Sequence, residues 1–272
     1  MSCCDKPGLM PVEAALARLL AQAEASAIVE TEQVSLNDAA GRVLAEPLIA
    51  TLDLPPWDNS AMDGYALRLA DWAGEPLVVS QRIQAGSAPQ PLQPGTCARI
   101  FTGAPLPAGA DSVEMQENAM LGDDGCVAFS EPLKLGQNVR AQGQETRVGD
   151  SVLPAGTRLG PIELGLAASL GCAELTVRRR PRVAVLSTGD ELVEPGQPLG
   201  PGQIYNSNRR VLIAWLQRLG CEVVDGGILV DDLEKTRSAL AALSDVDLIL
   251  STGGVSVGEA DFLGMALREE GE

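Results

Sequence analysis

Two segments rich in glycine and acidic residues, both in the C-terminal half, contain residue types that could do chemistry. Residues 187–191 read STGDE and residues 251–261 read STGGVSVGEAD. Glycines let backbone N–H groups approach an anion closely, and carboxylates on the same loops can hold a hard cation such as Mg²⁺ against phosphate oxygens. The two segments therefore predict a site for a phosphate-bearing or otherwise anionic ligand.

Each segment directly follows a short aliphatic run typical of a strand inside a parallel sheet. Residues 182–186 (RVAVL) precede the first segment, and residues 246–250 (VDLIL) precede the second. Because ligands of open α/β sheets bind outside the carboxyl ends of such strands, we expect one shared site. Each segment taken alone is better explained as a tight turn followed by acidic residues at a helix start, and it is the pair at equivalent strand ends that favours a site.

Strand and helix patterns alternate through the last third of the chain. The strand at 182–186 is followed by a helical pattern at 208–219, a strand near 221–230, a further helix and the strand at 246–250. This order predicts a doubly wound α/β domain. The last helical segment, 262–270, has no strand pattern after it, so we expect an incomplete sheet.

The first two thirds of the chain carry different patterns. Residues 11–25 have a helical apolar stripe, predicted to face a core or an interface, and residues 52–149 consist of short strand-like runs between Pro- and Gly-rich turns. A helix is predicted at 161–170, because Pro161 suits its first turn and Gly171 suits a left-handed cap. The arginine-rich run at 178–182 is expected to be a solvated connector.

These patterns predict a multi-domain protein of the α/β plus β class. We predict an N-terminal helix and linker module at 1–50 and 148–178. A mainly β inserted domain is predicted at 51–147, and an incomplete α/β domain at 179–272.

Composition excludes several classes of function. The 272 residues carry a net charge of −17, which disfavours nucleic acid and anionic membranes as partners. No run approaches the ~20 apolar residues of a membrane span, and the N-terminus lacks a signal-peptide pattern, so we expect a cytoplasmic protein. With no histidine, Ser-His-Asp and Cys-His catalysis are excluded, and the six cysteines form no Cys-x-x-Cys pair.

A longer motif lies in the mainly β region. Residues 55–67, PPWDNSAMDGYAL, closely resemble the hallmark segment of the MoeA family, to which the gephyrin E domain is also related. The same family pattern is matched, in chain order, at residues 99–105, 187–192, 203–208, 231–232 and 251–261. The resemblance covers essentially the whole chain and makes 179–272 a molybdopterin-binding domain.

The resemblance implies a cytosolic homodimer that inserts molybdate into the dithiolene of adenylylated molybdopterin, with Mg²⁺ present and AMP released. A molybdopterin adenylyltransferase is the implied pathway partner. The family's active site lies in a cleft between the α/β domain of one subunit and the β-rich domain of its mate.

Site residues follow from the matched motifs. The implied catalytic residues are Asp63, Thr102, Glu191, Asp231 and Asp261. Three of these, Glu191, Asp231 and Asp261, are the implied Mg²⁺ ligands. The implied substrate-binding residues are Ser187, Thr188, Gly189, Asp190, Asn206, Gly253, Gly254, Ser256 and Gly258. Asp63 and Thr102 also have simpler explanations, an Asp-Gly turn and a strand-end cap.

Two departures from the family pattern leave an alternative open. Residues 143–145 read GQE where the family usually has Gly-Glu-Asp, which makes Glu145 a weak site candidate. The family's Pro-Gly-Lys-Pro segment and its C-terminal β domain are absent, so we expect a fragment. The alternative is a non-catalytic molybdopterin-binding or scaffold module. An adenylyltransferase and a CinA-like hydrolase are disfavoured by residues 55–67, and a Rossmann dehydrogenase by the lack of Gly-x-Gly-x-x-Gly.

Overall fold

The computed structural model describes residues 10–253 and 262–270. The helices are α1 (Val12–Ala25), α2 (Pro161–Ser169), α3 (Asn208–Leu219), α4 (Leu233–Ala241) and α5 (Phe262–Glu270). The strands up to residue 129 are β1 (Thr31–Ser35), β2 (Leu48–Ile49), β3 (Asn59–Ser60), β4 (Gly64–Leu67), β5 (Leu77–Ile83), β6 (Thr96–Ile100), β7 (Ser112–Met115), β8 (Ala119–Leu121) and β9 (Cys126–Phe129). The remaining strands are β10 (Val139–Arg140), β11 (Ser151–Leu153), β12 (Glu174–Arg178), β13 (Arg182–Thr188), β14 (Leu192–Val193), β15 (Ile204–Tyr205), β16 (Glu222–Leu229) and β17 (Leu248–Thr252).

The chain forms two compact units. The α/β unit comprises Met1–Ala45 and Leu175–Glu272, and the β-rich unit comprises Glu46–Glu174. Each unit is built around its own sheet, as expected for a chain long enough to bury two cores.

A parallel three-stranded sheet with helices on both faces forms the centre of the α/β unit. Its order is β16-β13-β17, so the first strand of the pattern lies in the middle. Leu186 and Leu229 pack with residues of α4 and α5 on one face, while Val183 and Val185 pack with Leu216 of α3 on the other. The doubly wound arrangement predicted from the alternating pattern is confirmed, because the continuous apolar run of β13 is buried from both sides.

A bulge interrupts the pairing of β16 with β13. Val185 lies opposite Asp225, but Ser187 lies opposite Ile228, so β16 contains one extra residue. Gly227 adopts a positive φ of 78°, and a Cβ on Gly226 would lie 2.3 Å from a methyl carbon of Leu186. Glycine at both positions therefore permits the bulge.

A six-stranded mixed sheet dominates the β-rich unit. Its order is β7-β4-β6-β5-β9-β8, with β5 and β6 parallel and the other neighbours antiparallel. One core cluster contains Ile83, Ile100 and Val113, and a second contains Leu67 and Val127. The prediction of a mainly β region is confirmed.

Helix α2 of the β-rich unit has the ends that its sequence predicts. Pro161 is its first residue, and the Glu163 carboxylate accepts a hydrogen bond from the backbone N–H of Gly160 at 2.9 Å. Gly171 lies just beyond the helix with a φ of 77°, in the left-handed region that favours glycine.

Helix α1 forms where its periodicity predicts, but none of its residues is buried. Leu16, Leu19 and Leu20 are all more than half exposed, so the stripe does not face a core within the described α/β unit, and the alternative that it faces an interface stays a prediction. Periodicity specifies a face of a helix and not what covers it. None of the described helices is both long and apolar enough to cross a bilayer.

The arginine-rich run at 178–182 is not a solvated connector, which corrects that prediction. Arg179 makes two hydrogen bonds of 2.7 Å to the two carboxylate oxygens of Asp247. Arg182 bonds Glu222 at 2.9 Å and Asp245 at 2.5 Å. The run therefore ties the start of β13 to the segments that lead into β16 and β17.

Candidate functional site

The parallel strands of the α/β unit end together and carry predicted residues on the loops that follow. β13 ends at Thr188, β16 at Leu229 and β17 at Thr252. Residues 189–191 follow the first strand, Asp231 follows the second, and Gly253 follows the third. The strand ends meet as the sequence predicts for a ligand site of an open α/β sheet.

A cleft of about 200 Å³ opens at these strand ends. It is bounded on one side by β13 and β17 and on the other by β15 and the start of α3. Its lining residues are Thr188, Glu191, Leu192, Ile204, Tyr205, Asn206, Ser207, Asn208, Thr252 and Gly253. Four predicted site residues, Thr188, Glu191, Asn206 and Gly253, thus line one cleft.

Asn206 is a buried polar side chain of this cleft, and the oxygen and nitrogen of its amide differ in their contacts. Its side-chain oxygen accepts hydrogen bonds from the Ser187 hydroxyl at 3.4 Å and from the backbone N–H of Arg209 at 3.3 Å. Since a backbone N–H can only donate, these contacts fix which end of the amide is oxygen. The Nδ2 atom is buried and has no hydrogen-bond partner among residues 10–253 and 262–270, and Asn206 is only 3% exposed. Such a donor requires an acceptor, which a ligand in the cleft can supply.

The hydroxyl pair behind Asn206 holds the strand ends together. Ser187 is fully buried, and its Oγ lies 2.9 Å from the Thr252 Oγ1. Gly253 has a φ of 90°, and a Cβ there would lie 2.8 Å from the Thr188 carbonyl oxygen. Glycine at 253 is therefore required for the close approach of the β13 and β17 ends.

The negative charges of Asp190 and Glu191 act on Asp231 in this region, and the three carboxylates are named here the repelling group. The Asp190 carboxylate accepts a hydrogen bond from the backbone N–H of Asp231 at 3.3 Å. Burial raises the pKa of Asp231, and the negative charges of Asp190 and Glu191 raise it further. By contrast, Asp232 caps α4, because its carboxylate accepts the backbone N–H of Lys235 at 2.9 Å. Asp232 is therefore a helix cap, whereas its neighbour Asp231 belongs to the repelling group.

This carboxylate group fits a magnesium ion by its chemistry. Among the described residues, no cluster of three or more histidine, cysteine or acidic side chains is arranged to hold a metal ion. Mg²⁺ is usually held by one or two carboxylates, with substrate phosphates and water completing its shell, so a complete protein cage is not needed. The raised pKa of Asp231 indicates a position where a positive charge would be stabilised.

Arg209 supports the cleft and was not predicted from the sequence. It is 3% exposed and forms ion pairs with Glu194 and with Asp225 at 3.1 Å, and its Nε atom has no partner within the described part of the chain. These pairs join α3 to the excursion between β13 and α3 and to the bulged strand β16. An arginine in the first turn of an ordinary helix gives no local signal of such burial.

In the β-rich unit, Asp63 and Thr102 lie in direct contact. The Asp63 Oδ1 accepts hydrogen bonds from the Thr102 backbone N–H and from its hydroxyl, both at 2.8 Å. These two bonds, with a smaller contribution from the charge of Arg99, lower the pKa of Asp63. The ionised Asp63 carboxylate therefore holds the 101–103 turn, and its Oδ1 atom has its hydrogen-bond partners within the β-rich unit.

Two further positions of the β-rich unit bear on the motif. A Cβ on Gly64 would lie 1.9 Å from the Glu114 carbonyl oxygen, so only glycine permits β4 and β7 to pair here. Glu145 donates its backbone N–H to the Leu54 carbonyl at 2.8 Å, and its side chain is exposed.

Four predicted residues, Gly254, Ser256, Gly258 and Asp261, lie outside the described residues. Their predicted roles, like those of the residues placed above, stay predictions.

Comparison with known protein families gives two matches that together cover most of the chain. The family described as "MoeA N-terminal region (domain I and II)" matches residues 10–171, and the family described as "Probable molybdopterin binding domain" matches residues 184–272. A molybdopterin molybdenumtransferase of Haemophilus influenzae is 47% identical over 89% of this chain and 61% of its own length. One of Synechococcus elongatus is 40% identical over 97% of this chain and 68% of its own length.

A solved structure of a molybdopterin biosynthesis MoeA protein from Pyrococcus horikoshii has the same fold. It superposes with a TM-score of 0.80 at 33% identity, covering 93% of this chain and 66% of that protein. The chain thus spans about 60% of the length of the first two curated relatives that it matches. On the two family matches, these relatives and this shared fold, the chain belongs to the MoeA family.

Proposed function

We propose that the chain acts in molybdenum cofactor biosynthesis as a molybdopterin molybdenumtransferase. It inserts molybdate into the dithiolene of adenylylated molybdopterin and releases AMP. The observation that carries this proposal is the buried amide of Asn206, a donor without an acceptor in the cleft of a MoeA-family chain. The names of the curated relatives support the same reaction.

The cleft residues bind and orient the anionic substrate. The Asn206 Nδ2 donates to a phosphate oxygen, while the Ser187 hydroxyl holds the amide oxygen. Thr188, Gly189 and Gly253 provide the surrounding backbone, and the substrate-binding roles predicted for Gly254, Ser256 and Gly258 belong to the same proposal. A buried donor of this kind has high affinity for an oxyanion, because leaving it unpaired is costly.

The carboxylates nearby suit a cation that the substrate brings with it. We propose that Asp190, Glu191 and Asp231, together with Asp261, hold Mg²⁺. When bound, Mg²⁺ neutralises charge on the phosphate and molybdate oxygens. Without a cation, the three described carboxylates repel both one another and the substrate.

The remaining assignments concern the β-rich unit and the partners. We propose that Thr102, held by Asp63, orients molybdate or the substrate through hydrogen bonds. A homodimer, a molybdopterin adenylyltransferase as pathway partner and a cytoplasmic location are parts of the same proposal.

The decisive test replaces the side-chain NH₂ group of Asn206. Asn206→Asp keeps the oxygen that accepts from Ser187 and Arg209, but replaces the donating amide nitrogen by a second acceptor. We expect adenylylated molybdopterin to bind about 10- to 100-fold more weakly, since a hydrogen bond to a charged group contributes ~1.5–3 kcal/mol. Molybdate- and Mg²⁺-dependent AMP release should fall with it.

Circular dichroism of both proteins verifies that the fold is retained, and Asp63→Ala provides a second variant in the other unit. A wild-type chain that folds, binds the nucleotide and releases no AMP would instead support the non-catalytic module, which the relatives do not favour. Unchanged nucleotide affinity in Asn206→Asp would refute the role of the amide.

A further inference from the structure

Two arginines lie side by side on the six-stranded sheet of the β-rich unit. Arg82 on β5 and Arg99 on β6 are directly opposite in the parallel pairing, and Tyr65 on β4 lies directly opposite Arg99. Phe101 follows Arg99 by two residues and so projects to the same side of the chain. The four side chains form one basic and aromatic row, named here the arginine row.

The aromatic rings hold both guanidinium groups. The Cζ atoms of Arg82 and Arg99 lie 4.7 and 4.5 Å from the centroid of the Phe101 ring, and Arg99 also lies 5.2 Å from that of Tyr65. A guanidinium stacked on a ring keeps its N–H edge available and loses less conformational entropy when it binds a further group.

The two arginines differ in how their donors are used. Arg99 donates to the carbonyl oxygens of Gly64 at 2.8 Å and Ile100 at 3.2 Å, and to the Gln116 side chain at 2.5 Å. It is therefore a fixed positive charge. Arg82 is exposed, and within the described part of the chain its guanidinium makes no hydrogen bond or ion pair.

The charge of the row is not balanced by close carboxylates. Neither Arg82 nor Arg99 has an acidic group within ion-pair distance among residues 10–253 and 262–270, although the chain has 37 acidic and 20 basic residues. The charge of Arg99 contributes to lowering the pKa of Asp63, whose Oδ1 accepts hydrogen bonds from Thr102. Like charges directly opposite on neighbouring strands are destabilising unless something compensates them.

We propose that the arginine row is a binding subsite for a tetrahedral oxyanion that carries two negative charges. Arg82 donates to the anion from its free edge, Arg99 contributes fixed charge, and Phe101 keeps the two in place. A phosphate group and molybdate share this chemistry. The subsite deepens the proposed function by giving its anionic substrates a cationic contact in the β-rich unit, and it rests on that function only for the choice of molybdate as a probe.

Anion binding to the whole 272-residue chain tests the proposal without any molybdopterin. Equilibrium dialysis against molybdate and, separately, against inorganic phosphate at low ionic strength measures the dissociation constant of each anion. We expect Arg82→Gln to weaken binding about tenfold and Arg82→Lys to weaken it less, since lysine keeps the charge but not the fork of donors. Arg158→Gln removes an exposed arginine of the same unit as the matched control and should bind like the wild type.

Tungstate diffusion into crystals, with anomalous scattering, then locates the anion. A peak beside Arg82 supports the subsite, and the tighter of the two dialysed anions identifies its ligand. Equal affinity in wild type and Arg82→Gln, or equal loss in Arg158→Gln, would overturn it. Because no nucleotide is present, failure here leaves AMP release unaffected, and failure of AMP release does not alter the dialysis result.

Discussion

The two units treat charge in opposite ways at their candidate residues. In the α/β unit, burial raises the pKa of Asp231, and the negative charges of Asp190 and Glu191 raise it further. In the β-rich unit, Asp63 is stabilised by two hydrogen bonds from Thr102, and its pKa is lowered. The candidate residues of the first unit thus include carboxylates close to one another, while the arginine row of the second unit has no ion-pair partner among the described residues.

This difference shows that a predicted site carboxylate can have one of two explanations. A carboxylate whose ionised form is disfavoured by its neighbours indicates a place for a cation. A carboxylate with its hydrogen bonds satisfied indicates a held loop, and the groups around it become the better candidates for ligand binding. Both carboxylates belong to family motifs, so the motifs alone do not make this distinction.

The largest expected effect is a loss of stability of the β-rich unit. Gly64→Ala places a Cβ where the Glu114 carbonyl oxygen lies 1.9 Å away, so β4 and β7 cannot pair as they do. We expect a loss of more than ~4 kcal/mol in the free energy of unfolding, within the range of exceptional single substitutions. Urea denaturation followed by circular dichroism measures this loss.

The matched control is Gly165→Ala in α2, where a Cβ meets no atom within 4 Å. There we expect a gain of ~0.5–1 kcal/mol from helix propensity. A Gly64→Ala protein as stable as the wild type would show that β4 can shift to make room.

Neutralising one member of the repelling group sharpens the comparison. We expect Asp231→Asn to weaken Mg²⁺ binding about tenfold while leaving the fold at least as stable, because one of three mutually repelling charges is removed. Isothermal titration with MgCl₂ measures the affinity. The control is Asp123→Asn, an exposed aspartate of the β-rich unit; equal losses in both variants would mean that overall charge, not this site, sets the affinity.

A third carboxylate extends the comparison to acid stability. The Arg179 guanidinium lowers the pKa of Asp247 from its ordinary 3.8 to about 2. Because the folded-state pKa is lowered, the pair stabilises the native state fully above about pH 4, and this contribution is lost as the pH falls towards 2. We expect Arg179→Ala to lower the melting temperature at pH 7 and to flatten its dependence on pH between 4 and 2.

The exposed Arg158→Ala should leave that dependence unchanged. Parallel melting curves for wild type and Arg179→Ala at every pH would contradict the assignment of this pair.

The smallest expected effect concerns the held loop. Thr102→Val removes the hydroxyl that donates to Asp63 but keeps the backbone N–H bond. We expect the pKa of Asp63 to rise towards 3.8, as measured by NMR of its carboxyl carbon, with the fold unchanged. Thr96→Val, whose hydroxyl contacts Ser80 instead, should leave that pKa in place; a shift in both variants would locate the cause elsewhere.

Much of the fold was predictable because its elements carry local signals. β13 and β17 are apolar runs of the kind found inside parallel sheets, and α2 begins at Pro161 and is followed by Gly171 just beyond its end. The exposure of α1 was not predictable, because an apolar stripe specifies a face and leaves its partner open.

The site was predictable in its members but not in its electrostatics. Asn206 was named from its motif, yet its unpaired donor follows from a contact with the backbone of Arg209 that only the folded loop reveals. The arginine row was missed because Arg82 and Arg99 meet through a parallel pairing across a connection of a dozen residues. Register between such strands leaves no local trace in a single sequence.

The extra residue in β16 changes which of the two cores the side chains of this strand face. Up to Asp225, every second side chain of β16 shares the face of Val185, but beyond Gly227 the parity is reversed, and Leu229 joins Leu186 among the residues of α4 and α5. Gly226 and Gly227 together lie opposite the single residue Leu186, because Asp225 pairs with Val185 and Ile228 pairs with Ser187. A regular strand of the same length would place Leu229 in the opposite layer, whereas deleting one of the two glycines would remove the bulge and leave Leu229 opposite Thr188.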